Sequence, residues 1–160
     1  MNKTTLTEST YELWRLIGKA NHSILLLRQR ELRKHRIPVR QLLVLSTIKD
    51  LGSMATLAEV AKQLEREPNV ISFQTAIMEK DGLIKRIKNT PKSNLLKLEL
   101  TKKGLDIISA TRYSESIFSI FSSLSGEERE QLESILNKIW LKAQKTRHRL
   151  LDPDNHFKQL

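Results

Sequence analysis

The chain has no cysteine. That removes disulfides, thiol redox sensing, cysteine-bound zinc and cysteine nucleophiles at once. No apolar run approaches the roughly 18 residues of a membrane-spanning helix, so no membrane association is expected. The opening MNKTTLTEST lacks the apolar core of a secretory signal, which points to a cytoplasmic protein. Only five glycines and four prolines punctuate the 160 residues, as suits a mainly helical chain. His22, His35, His148 and His156 show no paired metal-ligand spacing. There is no glycine-rich phosphate loop and no nucleophile motif. No enzymatic activity, metal or cofactor is expected. Acidic residues are outnumbered: 28 Lys and Arg against 18 Asp and Glu leave a net charge of +10. Such an excess favours polyanions, nucleic acid first and an anionic membrane second; a basic surface without a partner is the plainer reading.

The most informative stretch runs from Leu57 to Leu100. Thr56 and Glu59 have capping-box spacing, and Val60, Ala61 and Leu64 follow as one helical stripe. Glu65-Arg66-Glu67 interrupts the stripe, and Pro68 suits the first turn of a second helix. Ile71, Thr75 and Met78 form the inward stripe of that helix, which Asp81-Gly82 ends. Pro68, Asn69, Ser72, Phe73 and Ala76 point the other way, and small or polar residues at this end suit a major groove. Lys85, Arg86 and Lys88 then lead into the turn-forming run 89–94. Leu96, Leu98 and Leu100 alternate with Lys97 and Glu99, as in a half-buried strand. A helix-turn-helix followed by a basic hairpin is a winged helix. Two surface helices and a hairpin without a ligand form the competing reading.

Before this unit, Thr7 or Ser9 can cap a first helix that carries Tyr11, Trp14, Ile17, Leu25, Leu27 and Leu32 to about Lys34. Gly18 inside it marks close packing or a bend. A helix of about 25 residues is long for a globular domain and suggests a partner. Arg28 to Arg40 holds six Arg or Lys; it reads as a solvated helix end or as a contact with DNA phosphates. His35 in this run adds to a polar surface. Pro38 stops the first helix. Leu42, Leu43, Leu45 and Ile48 make a short apolar helix ending at Asp50-Leu51-Gly52, and 53–55 form a small strand pairing with the wing base. After the wing, Thr101 opens a helix carrying Leu105, Ile108, Ile117, Phe118, Ile120 and Phe121. Ser125 and Glu128 form a second capping box. Leu132, Ile135, Leu136, Ile139 and Trp140 then give a strong stripe, and Lys142, Lys145, Arg147 and Arg149 make the helix basic. Asp152-Pro153-Asp154 closes it, and the tail 156–160 is ordered only by a partner. The architecture expected is a long helix, a compact winged helix and two long helices. The terminal helices carry more apolar surface than the winged helix needs, which marks an interface, most simply that of a two-fold dimer.

This layout resembles the MarR family of bacterial regulators over nearly the whole chain. Thr-x-x-Glu-x-Ala at 56–61, Glu79-Lys80-Asp81-Gly82-Leu83 and Leu100-Thr101-Lys102-Lys103-Gly104 fall at that family's separations without gaps. The resemblance implies a mainly α fold with a small β-hairpin wing: a winged helix-turn-helix at 37–104, and a helical dimerisation region formed by 1–36 and 105–160. It implies a homodimeric repressor on double-stranded operator DNA, released by a small aromatic or anionic effector bound between the arm and the DNA-binding lobe. Arg66-Glu67-Pro68-Asn69 is similar to regulators near reductive dehalogenase genes. Two departures stand out. Glu65 occupies a position usually given to glycine, at a strain of ~1 kcal/mol if it is left-handed. Pro91-Lys92-Ser93 replaces the Asp-x-Arg of the usual wing tip, so the minor-groove arginine is absent; Lys92 and Asn94 are the candidates to stand in for it, with poorer planar recognition.

On this reading Asn69, Ser72 and Phe73 contact base edges, and Phe73 is alternatively half-buried beside Val70 and Ile77. Gln74 is a base reader or a satisfied core amide. Arg66, Lys88 and Lys92 bind phosphates, with Pro68 and Asn94 completing the DNA surface. Trp14, His22, Arg28 and Tyr113 are candidates for an effector pocket, against a purely structural role. The rival functions are a winged-helix module for protein interaction without an operator, and regulation triggered by a metal on His and carboxylates.

Overall fold

The computed structural model describes residues 3–88 and 96–151, and the side chains of 7–88, 96–147 and 149. Helix α1 spans Lys3–Leu32. It starts before Thr7 and Ser9, so neither caps it; the Thr10 hydroxyl instead donates to the Thr7 carbonyl at 3.3 Å. It ends two residues short of Lys34, at a 3₁₀ turn over Arg33–His35 and a left-handed Arg36 at φ 54°. No side chain from 7 to 31 is buried, and Leu32 is the first residue of the core. Nothing lies within 4 Å of a Cβ built on Gly18, so within this chain it marks no close packing.

Pro38, with extended backbone, precedes α2 (Val39–Leu51). Val44, Leu45 and Ile48 of α2 are buried, whereas Leu43 is 51% exposed. The expectation that Leu43 joins the core is corrected: two steps of ~100° place it opposite Leu45. The strand expected at 53–55 is also absent. Gly52, at φ 53°, turns the chain into a 3₁₀ segment, Gly52–Met54. Only the next two residues are left to pair, and of these Thr56 alone is extended. Ala55 O accepts from Leu98 N at 2.8 Å, and Thr56 bridges Lys97.

Helices α3 (Leu57–Gln63) and α4 (Pro68–Lys80) follow. Thr56 Oγ1 caps α3 by accepting from Glu59 N at 3.2 Å. Strands β1 (Ile84–Lys88) and β2 (Leu96–Leu100) pair antiparallel, from Ile84 opposite Leu100 to Lys88 opposite Leu96. Val60, Ala61, Ile71, Met78, Leu83, Ile84 and Leu98 extend the core begun by α2. Thr101 caps α5 (Lys102–Thr111), accepting from Gly104 N at 3.1 Å. At Gly104 a Cβ would stand 2.2 Å from Leu83 O, so only glycine lets α5 lie against the wing root.

The single helix expected from Thr101 through Phe121 is two: α5 and α6 (Glu115–Ser122). The break has a tertiary cause. Arg28 Nη2 donates to Thr111 O at the end of α5. Glu31, one turn along α1, accepts from Ser114 Oγ at 2.5 Å and Ser116 N at 2.7 Å at the start of α6. A cation thus answers one helix C-terminus and an anion the next N-terminus, as the helix dipoles require. Burial raises the Glu31 pKa, but hydrogen bonds from Ser114, Ser116 and Arg28 outweigh it and lower it to about 2.

Both arms of the second capping box form: Glu128 N donates to Ser125 Oγ at 3.2 Å and Ser125 N to Glu128 Oε2 at 2.8 Å. Hydrogen bonds to that carboxylate from the Ser125 backbone N–H, and then from its hydroxyl, hold the Glu128 carboxyl below its usual pKa. Helix α7 spans Gly126–Leu151. Its stripe is half-buried at Leu132 and exposed at Ile135, Leu136, Ile139 and Trp140. Asp152-Pro153-Asp154 and the tail 156–160 lie outside the described residues. The chain divides into two compact units, Met1–Ile117 and Phe118–Leu160. No helix among the described residues is long and apolar enough to cross a membrane.

Candidate nucleic-acid interface

The turn before α4 sets which residues face out. Leu64 N donates to Val60 O at 3.0 Å, Glu65 N to Lys62 O at 3.1 Å and Arg66 N to Ala61 O at 2.9 Å. Closing the chain this tightly puts Glu65 at φ 53°, the left-handed region where a side chain costs ~1 kcal/mol. Arg66 and Glu67 are exposed, and Pro68 begins α4, where its missing N–H leaves no orphan donor. Ile71, Thr75 and Met78 are buried beneath the helix, as their spacing predicts. Thr75 Oγ1 is satisfied by Ile71 O at 2.8 Å.

The opposite face carries Pro68, Asn69 and Phe73 in the open, with Ser72 and Ala76 half-buried. Phe73 is 72% exposed, so the free-surface alternative describes it and the half-buried one does not. Asn69 Oδ1 accepts from Val70 N at 2.8 Å. Bidentate pairing with adenine uses both the amide oxygen and the amide nitrogen, so that local bond opens if Asn69 pairs this way. Gln74 is half-buried, and its Nε2 is shielded without a partner among the described residues.

The wing lies beside this face. Lys85 and Lys88 are exposed on β1. Arg86, half-buried between them, is not among the expected site residues. Its N–H donates to Glu79 Oε1 on α4 at 2.8 Å, and its Nη2 reaches Ser72 Oγ at 3.4 Å. The signal was available: strand alternation puts Arg86 on the side of buried Ile84, not that of Lys85. Lys92 and Asn94 lie outside the described residues.

The four effector candidates do not gather at one place within this chain. Arg28 and Tyr113 border a cleft of about 170 Å³, together with Glu31, Lys34 and a half-buried His35. Trp14 is 65% exposed and packs on Tyr11 with ring centroids 5.3 Å apart. It lies roughly 21 Å along α1 from Arg28, and exposed His22 roughly 9 Å. Arg28 itself is committed inward to Glu31 and Thr111, while Arg30, Arg33, Arg36 and Arg40 remain exposed. Among the described residues no group of three or more His, Asp or Glu could hold a metal ion.

Neither a family profile nor a curated protein matches the sequence. Solved structures do match the fold. The organohalide-sensing transcriptional regulator RdhR in its ligand-free form superposes with a TM-score of 0.80 at 25% identity, over 93% of this chain and 89% of that one. Its 2,4-dichlorophenol-bound form gives 0.77 at 24% identity, over 97% and 90%. The S. aureus MepR–DNA complex gives 0.69 at 25% identity, over 82% and 96%. The fold is that of the MarR winged-helix regulators. In that fold α3 and α4 form the helix-turn-helix, and β1 and β2 form the wing.

Proposed function

We propose that this chain is a sequence-specific DNA-binding transcriptional regulator that works as a homodimeric repressor and is released by a small-molecule ligand. One observation carries the reading: the N-terminal half of α4 presents Pro68, Asn69, Ser72 and Phe73 away from a fully formed core, flanked by exposed Arg66 and Lys88. Asn69, Ser72 and Phe73 meet base edges; Arg66, Lys88 and Lys92 meet phosphates and set the register; Asn94 belongs to the wing tip that approaches the minor groove. Gln74, half-buried, supports α4 from below or reads a base when the helix is loaded. MepR and E. coli MarR, of the same fold, are both known in complex with DNA, which supports this use of α4.

The dimer forms through 1–36 and 105–160, around the DNA-binding region 37–104. Exposed Trp14, Leu16 and Ile17 on α1 and Ile139 and Trp140 on α7 supply its apolar surface. The effector is a small aromatic or anionic molecule. RdhR, known with bound 2,4-dichlorophenol, makes a halogenated phenol the first to try, with Arg28 and Tyr113 as pocket residues and Trp14 and His22 as further candidates.

The test is a titration of the full chain against the duplex upstream of its own coding sequence and against a scrambled duplex, at two salt concentrations. Selective binding that survives physiological salt is expected, with a symmetric footprint and release by the phenol. Equal, steeply salt-dependent binding to both duplexes would leave only a basic surface.

A further inference from the structure

Arg86 differs from its exposed lysine neighbours, Lys85 and Lys88, in being half-buried. It faces α4: its backbone N–H donates to Glu79 Oε1 at 2.8 Å, and its Nη2 donates to Ser72 Oγ at 3.4 Å. Its Nε is shielded and unpartnered, and its guanidinium pairs with no carboxylate, among the described residues. A guanidinium only donates, whereas a hydroxyl can donate or accept. In the bond between them the Ser72 oxygen therefore accepts, and its proton is turned away from Arg86. That proton has no acceptor among the described residues, and Ser72 stands beside Asn69 and Phe73 on the face that Proposed function assigns to DNA.

We propose that Arg86 is a specificity-determining residue of this interface: it polarises Ser72 into a hydrogen-bond donor, so that Ser72 selects a base edge presenting an acceptor and rejects cytosine. The acceptors are purine N7, guanine O6 and thymine O4; cytosine alone offers only an amino group in the major groove. Two effects act in the same direction. The hydrogen bond orients the hydroxyl, and the unneutralised guanidinium behind it favours electronegative edges and repels the partly positive amino hydrogens. Serine alone is indifferent. With Arg86 behind it, one of its two modes is selected. Arg86 is thus a positioning residue acting through Ser72, unlike Lys85 and Lys88, whose exposed ammonium groups fit sequence-independent phosphate contacts.

The inference rests on the DNA-binding reading, and one experiment separates their failures. Full-length wild type, Arg86→Met and Ser72→Ala are each used to select from a randomised duplex library. The wild-type consensus should exclude cytosine at one position of each half-site. Arg86→Met should admit cytosine there, narrowing the discrimination about fivefold, the weight of one hydrogen bond. Other positions should keep their preferences. Ser72→Ala should relax the same position. A consensus unchanged by Arg86→Met would overturn the proposal. So would a uniform loss of affinity with a flatter salt slope, the mark of a plain phosphate contact. If Arg86→Met does not fold by circular dichroism, wild type and Ser72→Ala still decide: cytosine preferred by wild type at the position that Ser72→Ala relaxes sinks the idea. A wild-type protein that enriches no sequence fails the DNA-binding reading before any variant is compared.

Discussion

The winged-helix lobe and the long terminal helices use the same periodic code to opposite ends. Among the described residues every buried core hydrophobic lies between Leu32 and Ile108. Over that span the inward stripe of each helix meets another element, and Ile71, Met78, Ile84 and Leu98 are almost fully buried. Outside it, α1 and α7 carry stripes just as regular and leave them uncovered: Trp14 at 65% and Trp140 at 56% exposure are the plainest cases. Amphipathic spacing therefore says that a face will be buried, not that its own chain will bury it. The lobe has its hydrophobic stabilisation in hand, at roughly 25 cal/mol per Å² of apolar surface removed from water. The arms have theirs still to gain, which is the physical content of proposing a second copy as their partner.

The contrast can be broken from the lobe side first. Gly104→Ala should be the most damaging change, because its methyl meets the backbone oxygen of Leu83 and no flexible side chain can yield. A loss of about 3 kcal/mol or more is expected, read as a collapse of the thermal transition. On the arm side, Trp140→Glu should leave the lobe's folding intact and weaken self-association by about 2–4 kcal/mol, seen as monomer in sedimentation. A lobe that melts with it would show that the two regions are not separable in this way.

Glu31→Gln sharpens the comparison at the joint between α5 and α6. Losing an anion that accepts from Ser114 and Ser116 should cost about 2 kcal/mol in denaturant unfolding. The wild-type carboxyl has a folded pKa of about 2 against an ordinary 4.5. Its contribution is therefore complete above pH ~4.5 and is lost as pH falls through the folded pKa toward ~2. The variant should lack that part of the acid slope. The smallest effect belongs to Glu65→Gly. Relief of the left-handed strain should raise stability by up to ~1 kcal/mol, offset by the added freedom of glycine in the unfolded chain. A fall in melting temperature would mean that the Glu65 side chain contributes more than its backbone costs.

Much of the lobe was legible because its signals are local. Thr56, Pro68 and Thr101 each open a helix by a bond or a missing donor within four residues, and the buried Ile71, Thr75 and Met78 follow from period alone. What was not legible depends on distant partners. The sequence 111–114, Thr-Arg-Tyr-Ser, holds neither glycine nor proline, so nothing local announces the break between α5 and α6. Arg28 and Glu31 impose it from more than eighty residues away in sequence. The outward-facing α4 residues were read from spacing, whereas the turning of Arg86 toward Ser72 needed the wing folded against α4.

The root of the wing has a mechanical consequence. Leu83 O receives Thr101 N at 3.1 Å with Gly104 pressed against it, and the adjacent Gly82 O receives the Thr101 hydroxyl at 2.6 Å. Both strands of the hairpin are thus clamped at one point, while Glu79 braces β1 partway along. The wing is a cantilever with a built-in root. Because that brace comes from α4 itself, a displacement of β1 at Arg86 is passed to α4 through Glu79.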